Sequence, residues 1–237
     1  MKKVLVVAAA IIGFGAMEAE AFDPYFAMPA DEGGVGLTAG LASHDVGEIG
    51  DMSDVFLSGK YAIMDGLEAG ATATLGFLNE WRDDFSTVVV GAKYQLMPTG
   101  AATANLLLPI GDVDDIGLAL GMMYTHPLGD IDLNSHLEIQ LLDGYVFDGI
   151  NIGLLLQPVM RLNEQISAYL DVSIFTNTDD IGDWMNIDLR PHVDYRIQDD
   201  LWINAGVLIN AYNGIDRSSD IGLRLGVVKT MSLGAGY

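Results

Sequence analysis

The sequence predicts an all-β fold, an antiparallel up-and-down transmembrane β-barrel of about twelve strands. Three observations carry that reading. Apolar and polar residues alternate with period two through most of the chain, and the connections between alternating segments are in turn short and long. Beyond Phe22 no apolar run reaches the about 18 residues that a membrane helix needs, although the mean hydropathy is +0.31.

The first element is a targeting segment. Lys2 and Lys3 precede an apolar run from Val4 to Met17, and Ala19-Glu20-Ala21 is a small-x-small cleavage site, so residues 1–21 read as a secretory signal peptide. The alternative, an uncleaved anchor helix, suffers from the shortness of the run. Residues 22–34 form a short N-terminal periplasmic segment, and residues 35–237 the barrel. Removing two lysines and two glutamates with the leader leaves the charge at its full-chain value of -22. The acidity belongs to the exported part.

Strands are expected near Val35 to Ala42, Val55 to Ile63, Leu67 to Leu78, Phe85 to Leu96, Ala102 to Ile110 and Ile116 to His126. A second set follows at Ile131 to Leu142, Ile150 to Arg161, Gln165 to Asn177, Met185 to Ile197, Leu201 to Tyr212 and Asp220 to Lys229. The segment from Ile131 shows the pattern well: Ile131, Leu133, Leu137, Ile139 and Leu141 share one file, and Asp132, Asn134, His136, Glu138 and Gln140 the other. Short links such as Met64-Asp65-Gly66, Pro127-Leu128-Gly129-Asp130 and Leu162-Asn163-Glu164 are hairpin turns. The intervening links, His44 to Asp54 among them, are longer and acidic. Long loops at one end and tight turns at the other are the asymmetry of an outer-membrane barrel. The chain ends with a turn near Lys229 to Ser232, which leaves a short thirteenth segment or a long twelfth strand.

A soluble barrel or sandwich would point the apolar file inward. That file is bulky, whereas the polar file is rich in Gly, Ala, Ser and Thr, which suits a barrel interior. Strands of about 10 to 12 residues, tilted near 45°, give a wall roughly 25 Å high, the thickness of an outer-membrane apolar band. Facing then assigns the charges. Lys60, Lys93, Arg161, Arg190, Arg196 and Arg224 point into the lumen, as do Glu68, Asp132, Glu138, Asp171, Asp188 and Asp194, with His136 and His192 beside them. Such a lattice either holds the wall rigid by pairing or lines a path that selects solutes by charge. Tyr61, Tyr94, Tyr124 and Tyr195 recur on the apolar file just before short turns, where an interfacial aromatic girdle belongs. Phe77, Trp81, Phe85, Tyr145, Phe147 and Trp184 gather around the long loops and supply candidates for a second girdle. Tyr237 fits the C-terminal aromatic that barrel-assembly machinery reads.

Composition excludes several classes. Asp+Glu 33 against Lys+Arg 11 repels phosphate, so no nucleic-acid partner is expected. Half of the residues are hydrophobic, which excludes a disordered chain, and the absence of cysteine excludes disulfides, thiolate catalysis and Cys-ligated metals. No P-loop, GxSxG, HExxH or dinucleotide fingerprint is present. A hydrolytic pair of Ser167 or Ser173 with His192, and a metal site from His136, His192 and lumenal carboxylates, are weighed and set aside, so no enzyme, metal or cofactor is expected. Sixteen acidic residues lie in the six long connections, with only Arg82 and Arg217 to offset them. Such a rim gathers cations and is suited to divalent ions shared with lipopolysaccharide phosphates; the plainer reading is that it keeps the exposed end soluble. Asp112-Val113-Asp114-Asp115 matches part of a calcium loop without its full spacing.

Gly91-Ala92-Lys93-Tyr94-Gln95-Leu96, a Pro-Gly turn, a small-residue strand ending Leu108-Pro109-Ile110-Gly111-Asp112 and the strand from Gly117 to Tyr124 resemble the outer-membrane family of meta-pathway phenol-degradation transporters. The resemblance implies a barrel of twelve or similar strands that admits small, often aromatic, compounds. The reading that follows is a passive outer-membrane channel or transporter for a small solute, with membrane lipid and lipopolysaccharide as partners. The alternative is a non-conducting structural or surface-interaction barrel with cation-attracting loops.

Overall fold

The computed structural model describes residues 33–45, 51–77, 86–110, 116–141, 150–179, 181, 185–213 and 221–232. The leader, nearly all of the N-terminal segment and Tyr237 lie outside them.

Period-two segments become strands: β1 (Gly34–Asp45), β2 (Asp51–Met64), β3 (Leu67–Phe77), β4 (Ser86–Met97), β5 (Gly100–Ile110), β6 (Gly117–Leu128), β7 (Ile131–Leu141), β8 (Ile150–Arg161), β9 (Ile166–Asn177), β10 (Asn186–Gln198), β11 (Leu201–Asn213) and β12 (Ile221–Ser232). Each pairs antiparallel with its sequence neighbours, and β12 pairs with β1, so the sheet closes as a barrel. Closure matters because a strand edge in hydrocarbon would leave a row of amide groups without partners.

Two expectations need correction. His44, placed in a long loop, is on β1 opposite Gly222 of β12 and Met52 of β2. The β1–β2 ladder continues to Asp45 opposite Asp51, because the ladder partners on both sides extend the strand beyond its last clear alternation. The chain also does not turn at Lys229 to Ser232. β12 runs through Ser232, paired with Gly34, so the described residues contain twelve strands and no thirteenth.

Three of the five short turns share a construction. Met64 pairs with Leu67, Met97 with Gly100 and Gln198 with Leu201, each across two residues and each preceded by a register shift in the incoming strand. One extra residue per hairpin bends the strand and increases its twist at the rim. Gly66 (φ 80) and Gly129 (φ 75) supply the left-handed backbone that two of the turns require. At the β8–β9 turn Asn163 Oδ1 accepts from the amides of Gln165 and Ile166, at 2.8 and 2.9 Å.

The two files then separate by environment. Leu57, Tyr94, Leu120, Leu137 and Leu225 are exposed, while Glu68, Lys93, His136, Gln140 and Gln157 are buried. This inverts the arrangement of a water-soluble protein, in which large apolar groups are buried and charges are solvated. An outer surface of this kind is stable only against another apolar phase, so the fold is that of a transmembrane β-barrel.

Candidate functional site

Twelve strands about 4.8 Å apart and tilted about 40° put the backbone roughly 12 Å from the barrel axis, intermediate between barrels filled by their own side chains and wide aqueous pores. The inner face of this wall is the candidate site.

Its most buried ion pair is near the short-turn end of β3 and β4. Lys93 Nζ is 2.8 Å from Glu68 Oε2 with neither side chain exposed, and Lys60 Nζ approaches Glu68 Oε1 at 3.9 Å. The residues are adjacent because Lys60 is opposite Gly70, and Lys93 opposite Glu68.

A belt of polar contacts crosses five strands. Thr125 Oγ1 on β6 donates to Asn134 Oδ1 on β7 (2.8 Å), and Asn134 Nδ2 donates to Gln157 Oε1 on β8 (2.9 Å). Gln157 Nε2 donates to Asp171 Oδ1 on β9 at 2.7 Å, and Asp171 Oδ2 is 3.6 Å from His192 Nδ1 on β10. The His192 ring stacks on Tyr169, with centroids 4.5 Å apart and planes 7° from parallel. A second set surrounds Glu138, whose carboxylate accepts from Asn105 Nδ2 (3.4 Å) and Gln140 Nε2 (2.6 Å), while Thr103 Oγ1 is 3.3 Å from His136 Nε2. On β8 to β11, Asn177 donates to Asn151 (2.8 Å), Asn210 to Asp188 (2.9 Å) and Asn204 to Asp194.

Glycines make this packing possible. Gly91 is opposite Asn105 and Gly206 opposite His192, and in both cases the larger side chain lies in the space a Cβ would take. Phe56 lies over Gly40 in the same way, and the Arg224 guanidinium stacks on the Phe56 ring at 4.5 Å.

Of the charged residues expected to face inward, Glu68, Lys93, Glu138, Asp171, Asp188 and Arg190 are buried, together with His136 and His192. Lys60, Asp194, Arg196 and Arg224 are half-buried. Arg161 and Asp132 share the inward parity but sit at the short-turn rim, where their side chains are 73% and 37% exposed and 3.9 Å apart. Tyr61, Tyr94, Tyr124 and Tyr195 are exposed on the outer face. Of the second group of aromatics, Phe77 ends β3 and the others lie outside the described residues, as do most of the acidic loop residues and Asp112 to Asp115. Sequence reasoning placed Asn134 and Gln140 on the polar file but left out the neutral amides Asn105, Asn151 and Gln157, which make several of the cross-strand bonds. Their inward parity could have identified them.

Ser173 is opposite Asp188, four residues along β9 from Tyr169, the partner of His192, and Ser167 is opposite Asp194. Neither serine is opposite the imidazole. Among the described residues no group of three or more His, Asp or Glu is arranged to hold a metal ion.

Inverted polarity and closure thus define a membrane-spanning β-barrel with a charged, amide-rich inner wall. No family model matches the chain, and no curated protein matches it. Solved structures do. An outer membrane channel from Pseudomonas putida F1 is similar with a TM-score of 0.64 at 12% identity, covering 89% of this chain and 100% of that one. The KdgM porin in complex with disordered oligogalacturonate gives 0.59 at 8%, covering 82% of this chain and 98% of that one. The NanC porin gives 0.58 at 13%, again covering 82% and 98%. At these identities the likeness is one of fold.

Proposed function

We propose that the protein is a passive channel of the outer membrane of a Gram-negative-type cell, admitting small solutes along the inner wall of the barrel. The observation that carries this reading is a closed twelve-stranded wall whose apolar file faces outward and whose charged file faces inward. Residues 1–21 direct export and are cleaved, Tyr237 presents the C-terminal aromatic to the assembly machinery, and lipid with lipopolysaccharide surrounds the barrel. Tyr61, Tyr94, Tyr124 and Tyr195 sit at one membrane interface, with their ring bodies in lipid and their hydroxyls at the headgroups. Lys60, Glu68, Lys93, Asp132, His136, Glu138, Arg161, Asp171, Asp188, Arg190, His192, Asp194, Arg196 and Arg224 line the lumen. No step of this function calls for catalysis, a metal or a cofactor. The fold shared with an outer membrane channel and two porins supports the reading.

Reconstitution into liposomes, with swelling measured for a panel of ions, sugars and phenols, tests it. Flux above that of empty vesicles is expected. Neutralising Arg190 and Arg196 should shift the reversal potential in bilayers, and an unchanged potential would count against selection by charge.

A second reading has its own support: Lys93, Glu68, Gln140 and Gln157 are fully buried, as the members of a lattice that only holds the wall together would be. A folded, reconstituted barrel that passes none of the panel would establish that reading over the first.

A further inference from the structure

The geometry points to a cleft along β10, β11, β12, β1 and β2, open at the short-turn end, as the part of the bore that carries solute, and to small anions as the solutes it prefers. The cleft gives the proposed channel a solute class and rests on that reading of the fold.

The inner wall is not uniform. On β5, β7 and β8 every described inward side chain between the rims is buried, and Ala101, Gln140 and Gln157 are 0% exposed. On the other side of the barrel the inward Trp202, Asn204, Arg224, Val228, Thr38 and Ser58 are half-buried. An inward side chain of a closed wall can be exposed only toward the bore, so water reaches this side and not the other. Register explains the difference. Val228 is opposite Thr38, and Thr38 opposite Ser58, with Gly226 and Gly40 paired in the next row, so short side chains or none cover this part of the wall. On the closed side Asn105 fills the space over Gly91, and His136 with Thr103 fills that over Gly121. Toward the long-loop end Ala42, Leu208 and Gly222 are buried, and Arg224 stands at the head of the cleft. Short turns are the periplasmic ends of such barrels, so the cleft opens to the periplasm.

Exposure also sorts the charges. Glu68, Glu138, Asp171 and Asp188 are buried, with Lys93 and Arg190 beside them as the cations of the sealed set. The half-buried set is Lys60, Arg196 and Arg224 against Asp194, which accepts from the Asn204 amide. Lys60 is 22% exposed and 3.9 Å from Glu68, which Lys93 already holds at 2.8 Å. Among the described residues Arg196 and Arg224 have no ion-pair partner. The face of Arg224 rests on the Phe56 ring at 4.5 Å, which leaves its N–H edge to the cleft. Asp54 is opposite Ala42, in the row of Arg224. Even with Asp54 counted, cations outnumber carboxylates in the cleft, the reverse of the chain's net charge of -22. Local charges set the field in a water-filled cleft between low-dielectric walls, because those beyond a Debye length of about 8–10 Å are screened.

The chain has no cysteine, so single-cysteine variants of the full, folded barrel report which side of the wall is wet. Thr38→Cys and Val228→Cys lie in the cleft, Ala101→Cys and Ala119→Cys on the closed side. Each is treated with anionic sulfonatoethyl and cationic trimethylammonioethyl methanethiosulfonate, and bilayer reversal potentials are measured across a potassium chloride gradient. The cleft cysteines should react about tenfold or more faster than the others, and the anionic reagent should be favoured there about tenfold, relative to its reaction with free cysteine. Arg196→Gln, Arg224→Gln and Lys60→Gln should each reduce that advantage and the chloride preference, and Asp54→Asn should increase both. Equal rates at Thr38→Cys and Ala101→Cys overturn the cleft. Absence of an anionic advantage, or one unchanged in folded Arg196→Gln and Arg224→Gln proteins, overturns the preference for anions. The expected labelling without conductance supports the cleft and refutes the channel; conductance with uniform labelling refutes the cleft and leaves the channel.

Discussion

From β6 to β10 the inward side chains reach one another, and Thr125, Asn134, Gln157, Asp171 and His192 form a continuous belt across five strands. From β11 through β12 to β1 the inward positions include Gly206, Gly222, Gly226, Gly36, Gly40 and Ala42, and Arg224, between Gly206 and Ala42, stacks on the Phe56 ring. The difference lies in what each strand offers its neighbour. An amide opposite another polar side chain can donate and accept at once and so extends a network, whereas an arginine flanked by glycine and alanine has an aromatic ring as its support and space beside it. One half of the wall is held by side chains as well as by backbone; the other half relies more on its backbone ladder.

The comparison can be broken at its firmest point. Replacing Lys93 by Met should leave Glu68 buried without its nearest cation and cost about 3–5 kcal/mol, measured by urea unfolding in lipid vesicles. A loss under about 1 kcal/mol, the scale of a surface ion pair, would mean that the pair is hydrated in the membrane-bound protein. Next in size is Leu137→Lys, on the outer file between the buried His136 and Glu138, which should cost about 2–4 kcal/mol if that file meets the hydrocarbon midplane. A neutral result would reverse the assigned facing. Gln157→Leu cuts the belt at its middle and strands Asn134 Nδ2 and Asp171 Oδ1, for a loss of about 1–3 kcal/mol. Substitution of the outward Leu208 neighbour Val207 by Ile should stay under about 0.5 kcal/mol, since surface changes away from packed groups are usually that small.

The smallest effect is at the rim. The side-chain hydrogen bond from Lys229 holds the Asp200 carboxyl below the usual carboxylate range in the folded protein. A depressed folded-state value means that the contribution is present above the unfolded value and disappears as the pH falls through the folded one. Titration followed by NMR should show the Asp200 resonance moving at lower pH than in Lys229→Gln, while the β11–β12 ladder is retained.

Much of this molecule was legible in the sequence. Period-two alternation identified the twelve strands, and most of their ends fell within two residues, because burial on only one face of each strand leaves a signal in every second residue. His44 and the end of β12 escaped because alternation fades near the rims, where pairing with a neighbouring strand decides how far a strand continues. The burial of Glu68, Lys93 and Asp171 was readable from parity. Which of them meet was not.

By itself, the sequence determined the fold class and the facing of each side chain, since both depend on the parity of local positions. Only the tertiary structure decided the register between strands, and with it that Lys93 is opposite Glu68, that Asp171 joins Gln157 to His192, and that Gly206 stands between His192 and Arg224. Register couples residues distant in the chain through turn bulges and barrel closure, and a shift of one residue in a ladder would separate the contacts that cross it.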